Sequence, residues 1–128
     1  MGQYGRTAVH ATKRFLSGEA PSVRTAWDSA VTQHSDSPFS QAKGCPRDAF
    51  LGLCEAGLVK GVPPGNHGAP RENVNGRYAV EAYHLLKADP KLASDKKALW
   101  KAIPDRTATH ENGQLDVLLM MYAAGQLK

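Results

Sequence analysis

The chain states one pattern twice. Gly5-Arg6-Thr7-Ala8-Val9-His10-Ala11 returns as Gly76-Arg77-Tyr78-Ala79-Val80-Glu81-Ala82, identical at five of seven positions. The segment from Asp48 to Lys60 returns from Asp116 to Lys128, with Asp, Leu, Ala, Gly and Lys recurring in register. Each copy also holds one of the chain's two tryptophans, Trp27 and Trp100. The matched segments lie 71, 73 and 68 residues apart, so small loop differences absorb the drift. A duplication restricts the fold, because what one half forms the other should form again. A unit of about 55 residues has a marginal core by itself, so the two halves should fold together.

The apolar positions follow a helical period rather than strict alternation. A first helix over residues 4–16 places Ala8, Ala11 and Phe15 on one face, and Gly18 stops it. A second opens near Pro21, carries Val23, Trp27, Ala30 and Val31, and ends near His34. After a polar loop over 35–44, a third runs from Cys45 to Ala56 with Phe50, Leu53 and Cys54 on one stripe, and Gly57 just past its end. The second copy repeats this order over residues 76–88, 94–102 and 113–124, with Ser94 as N-cap of the middle helix. Leu58-Val59-Lys60-Gly61-Val62 is the one short strand candidate. The expected fold is a single all-α domain of about six helices. They form two tandem three-helix repeats, 5–60 and 76–128, joined by a Gly/Pro-rich loop over 61–75 and packed with pseudo-two-fold symmetry.

Bulk composition limits the function classes. A chain of 128 residues with 41% hydrophobic and 22% charged residues has the balance of a globular domain. It contains no apolar run of the roughly 20 residues a membrane span needs. The N-terminus lacks a secretory apolar region, so a cytoplasmic location is the expectation. A net charge of +4 permits an acidic partner without demanding one, since the basic residues are scattered. Cys45 and Cys54 at opposite ends of one helix would lie about 13 Å apart, too far for a disulfide.

The differences between the copies point to candidate site residues. The third helix of the first copy opens with Lys43-Gly44-Cys45-Pro46-Arg47, where the second copy has Glu111-Asn112-Gly113-Gln114-Leu115. Unpaired N–H groups and the helix dipole, reinforced by Lys43 and Arg47, make this start a candidate anion site. Gly44 and Cys45 belong to it, and His67 and Arg71 could join from the connecting loop. The plainer reading makes Gly44 and Cys45 the turn and cap, with Pro46 as the first helical residue. The same field would activate the Cys45 thiol. A small enzyme with Cys45 as nucleophile, and Glu55 or His67 as its partner, is therefore the alternative to a non-catalytic binding module. Nucleic acid is a further alternative: the third helix followed by Gly57-Leu58-Val59-Lys60 loosely suggests a recognition helix and wing, although helix-turn-helix spacing is absent. Met120, Met121 and Tyr122 form a soft apolar end to the last helix and a candidate homodimer surface. His10, His34, His67, His84 and His110 show no metal-ligand spacing, and neither a metal nor a cofactor is expected.

Lys43-Gly44-Cys45-Pro46, Phe50-Leu51-Gly52-Leu53-Cys54-Glu55, Gly57 and Gly61-Val62-Pro63 followed by Gly65 resemble the central signature of a family of small bacterial proteins of unknown function. Tyr78-Ala79 and Asp116-Val117 resemble its later landmarks. The resemblance implies a compact bacterial cytoplasmic protein and carries no activity, cofactor or catalytic residue. It draws attention to the stretch from Lys43 to Gly65.

Overall fold

A computed structural model describes residues 2–128, and they form an all-helical fold. The helices are α1 (Gln3–Leu16), α2 (Val23–His34), a single turn α3 (Pro38–Gln41), α4 (Gly44–Glu55), α5 (Val74–Ala88), α6 (Lys96–Ala102) and α7 (Gln114–Ala123), with a 3-10 segment over Pro90–Ser94. Among the described residues there is no strand. The strand candidate contributes one isolated antiparallel bridge, Val59 to Leu127.

Local chemistry explains where the helices start. Ser22 and Thr25 form a reciprocal capping box, so α2 begins after Pro21 rather than at it. The Asn73 side chain accepts from the Gly76 N–H at 2.9 Å and opens α5 ahead of the glycine expected to start it. Asp95, not Ser94, caps α6 through the Ala98 N–H at 3.1 Å; Ser94 instead closes the 3-10 segment. The α3 turn, capped by Ser37, lies inside the stretch read as a loop, because four residues are too few to show a period.

Packing pairs α1 with α2 and α7, and α4 with α5 and α7. Leu51, Leu53, Phe50, Leu115, Leu118 and Met121 fill the centre, with Trp27 stacked on Phe50 at 5.3 Å. Two crossings require glycine. A Cβ on Gly52 would overlap the Cα of Gly76 where α4 meets α5. A Cβ on Gly5 would overlap the Met120 side chain and the Asp116 carbonyl where α1 meets α7. Gly57 and Gly125, at φ 76° and 73°, take the left-handed conformation just after α4 and α7. The N–H groups of Leu58 and Gln126 then return to Leu53 and Met121. Beyond them Lys60 N–H donates to the Gln126 carbonyl at 2.9 Å, and Lys128 N–H to the Leu58 carbonyl at 2.9 Å.

Candidate functional site

The residues singled out at the start of α4 are largely committed to one another and to the fold. The Arg47 guanidinium contacts the Asp48 carboxylate at 3.1 Å, and Asp48 is buried. The Lys43 ammonium lies 5.7 Å from the centre of the Tyr4 ring. No side chain caps α4, so the N–H groups of Gly44 and Cys45 are open to other acceptors, while Pro46 has none and packs beneath Gly113. Cys45 is half-buried.

His67 does not reach this end of the helix. Its N–H donates to Glu55 Oε2 at 2.7 Å, and its ring nitrogen Nε2 lies 2.6 Å from the Pro63 carbonyl. Glu55 also accepts the Ala69 N–H at 3.2 Å, so this carboxylate holds the connecting loop. Glu55 and Cys45 sit ten residues apart on one helix, about 15 Å by helical rise. Neither Glu55 nor the loop it binds therefore offers Cys45 a base, and Arg71 stands exposed in that loop. Cys54 is fully buried, and burial, with Glu55 beside it, pushes its thiol up to about 12. Both cysteines are free. The expected dimer surface is also altered: Met121 is fully buried, while Met120 is half-buried under the α1 crossing and Tyr122 is half-buried.

The structure gathers cations elsewhere. A hollow of about 400 Å³ opens between α6 and the loop that leads to α7. Lys96, Lys97, Lys101, Arg106 and His110 line it together with Trp100. The Arg106 guanidinium lies 5.1 Å from the Trp100 ring centre, and Trp100 Nε1–H donates to the Thr109 carbonyl at 3.3 Å. One carboxylate, Glu111, is present, but its oxygens are engaged. Oε2 accepts the Gly113 and Leu115 N–H groups at 2.7 and 2.8 Å, and Oε1 pairs with Lys96 at 3.3 Å. The start of α7 thus carries its own internal anion, which α4 lacks.

Tyr78 and Arg77 fix the loop that walls this hollow. Tyr78 Oη accepts from the Thr107 and Ala108 N–H groups at 3.1 and 3.2 Å and meets the Thr107 hydroxyl at 3.0 Å. The Thr107 hydroxyl, with the two backbone donors, lowers the Tyr78 pKa against the opposing effect of burial. Arg77 donates to the Pro104 and Asp105 carbonyls at 3.0 and 2.9 Å. Of the hollow's residues the sequence named Trp100, Glu111 and His110, but assigned none of them to a site. Arg106 and His110 gave no motif because the loop that carries them is held by α5, distant in sequence.

The fold defines a small all-helical protein whose surface hollows are lined by charged side chains. The chain belongs to a family of unknown function, DUF6979, whose family model matches residues 1–128. No curated protein and no solved structure matches it. No helix among the described residues is long and apolar enough to cross a membrane.

Proposed function

We propose that the protein is a non-catalytic binding module for an anionic ligand, seated in the Trp100 hollow. The observation that carries this is the lining: Lys96, Lys97, Lys101 and Arg106 face one carboxylate that is already capping a helix. A volume of about 400 Å³ falls within the range of ordinary small-ligand sites. Exposed charges contribute only about 0.2–1 kcal/mol each, so charge alone gives weak, salt-sensitive binding, and enclosure must add the rest. Arg106 covers a face of Trp100 and Tyr78 meets its ring edge-to-face at 5.4 Å, which disfavours stacking of a nucleic-acid base there. The open start of α4 remains a second candidate for the same ligand chemistry, on the strength of the unclaimed N–H groups of Gly44 and Cys45.

Calorimetric titration with inorganic tripolyphosphate tests the reading. Wild type should bind, and the double substitution Lys97→Glu, Lys101→Glu should reduce affinity at least tenfold while leaving helix content unchanged, since both side chains are exposed. Equal binding by the two proteins would contradict it.

The scaffold beneath is read as a duplicated three-helix unit. The reciprocal hydrogen bonds between 58–60 and 126–128 support this, because residues 126 and 128 stand 68 after 58 and 60, so each bond is the repeat image of the other. The paired crossings at Gly5–Met120 and Gly76–Gly52 support it equally.

A further inference from the structure

A second hollow bears on function, and it lies on the opposite copy of the repeat. His10 on α1 and His34 at the end of α2 meet through Nδ1 and Nε2 at 3.1 Å, with their rings edge-to-face at 5.3 Å. They stand in a groove of about 360 Å³ lined also by Arg6, Lys13, Val9 and Met120. The charged groups facing it are Arg6 and Lys13 from α1, beside the two imidazoles. Helix α2 adds the neutral Gln33, and α7 adds Met120. Two carboxylates stand close by without lining it: Asp116 of α7 accepts the Gly5 N–H at 2.9 Å, and Glu19, paired with Arg14 at 3.3 Å, shares an adjoining hollow with His10 and Lys13.

The repeat supplies an internal comparison. A groove of about 410 Å³ lies at the matching place in the other copy, where Arg77 and Val80 stand 71 residues after Arg6 and Val9, and Gly52 stands 68 before Met120. There Glu81 occupies the position of His10, and Glu55 adds a second carboxylate. One framework therefore carries imidazoles and a lysine in one groove and carboxylates in the other. Packing needs alone would have no reason to reverse the sign of charge.

An N···N contact at 3.1 Å holds one proton between the two rings. One added proton makes the pair an imidazolium donating to a neutral imidazole, and that positive charge stands beside Arg6 and Lys13. Burial, with His10 and Arg6 nearby, already holds the His34 pKa below its usual value. A bound anion would offset that added positive charge. We infer that this groove binds a small organic oxyanion, with its charged group between Lys13 and the histidines and its apolar body over Val9 and Met120, and that binding takes up a proton onto the His10–His34 pair. Affinity then rises as pH falls, by up to about tenfold per pH unit for one proton, and levels off once the free pair is itself protonated.

Inorganic sulfate and an aryl sulfonate are suitable probes because their charge is constant over this range. Imidazole NMR titrations with and without sulfate, at ionic strength matched with chloride, should show the His10 and His34 midpoints moving upward. Sulfate binding at about pH 5.5 should exceed that at about pH 8 by at least tenfold. The aryl sulfonate should bind more tightly than sulfate and shift the Val9 and Met120 methyl signals. His34→Asn should flatten the pH response. Should that variant prove unfolded, Lys13→Gln, at an exposed position, should still weaken sulfate binding severalfold without moving the unliganded midpoints far. Binding independent of pH, unmoved histidine midpoints, or sulfate-induced shifts confined to other surfaces would overturn the inference.

Discussion

At the scale of single residues, the two cysteines separate cleanly by environment. Cys54 is sealed in the core with its thiol pushed up to about 12, whereas Cys45 is half-buried at the start of a helix. A thiolate-selective reagent at neutral pH should modify Cys45 in the folded protein and Cys54 only after unfolding, which mass spectrometry of the labelled chain can count. Tyr78 illustrates a polar side chain whose value lies in the donors it satisfies. Tyr78→Phe would strand the Thr107 and Ala108 N–H groups, at a cost of about 1–3 kcal/mol, and should loosen the wall of the Trp100 hollow. Chemical denaturation reads the first effect and amide exchange at 107–109 the second. His34 adds a pH term. Its folded pKa lies below the ordinary 6.5, so the unfolded chain takes up the proton first as pH falls. This residue's contribution to stability is full above that value and is lost on descent through the lowered one. The urea midpoint should be lower at about pH 5 than at about pH 7.5, and His34→Asn should narrow the difference. The separation of the cysteines followed from their places on one helix, whereas the roles of Tyr78 and His34 were not legible in the sequence. The candidate histidine was His67, chosen for its place in a Gly/Pro loop, whereas the pair that meets is His10 and His34, brought together by the α1–α2 packing.

Among the helices, the sequence was more informative. Apolar spacing found the six principal helices, because each buries one stripe and the period is visible wherever a helix exceeds two turns. Its errors were at the ends, where a cap decides. Asp95 outcompetes Ser94 for the start of α6, and Asn73 opens α5 earlier than Gly76. The turn Pro38–Gln41 escaped for want of length. Gly52 stands in mid-helix, where glycine costs about 1 kcal/mol against alanine; the crossing with Gly76 is the reason for it. Gly52→Ala should therefore destabilise despite its better helix propensity. The new Cβ meets backbone rather than a flexible side chain, so at least about 2 kcal/mol is expected. Thermal unfolding should show a fall of several degrees. An unchanged or raised transition would mean that α4 and α5 separate easily, against the geometry described.

For the molecule as a whole, the repeat proposed from the sequence would account for both the scaffold and the asymmetry on its surface. Helix α1 packs on α7 and α4 on α5, so each half completes the other's core. The paired segments 58–60 and 126–128, beside Val59 and Leu127, tie the halves together. The 5–60 and 76–128 segments expressed separately should each be largely unfolded by circular dichroism, and mixing them should restore helix content. The sequence located the asymmetry at Lys43 to Arg47. The structure adds two charged hollows that no local motif announces: one is folded from the single stretch 96–111, whose loop α5 fixes, and the other is assembled from α1, α2 and α7. The central claim is that the Trp100 hollow binds an anion, and one measurement addresses it directly. Amide chemical shifts should be mapped with inorganic tripolyphosphate at about pH 8, where the histidine groove binds weakly. The account predicts a contiguous set of shifts at residues 96–101 and 106–111. Shifts centred instead on residues 43–47, or none, would contradict it.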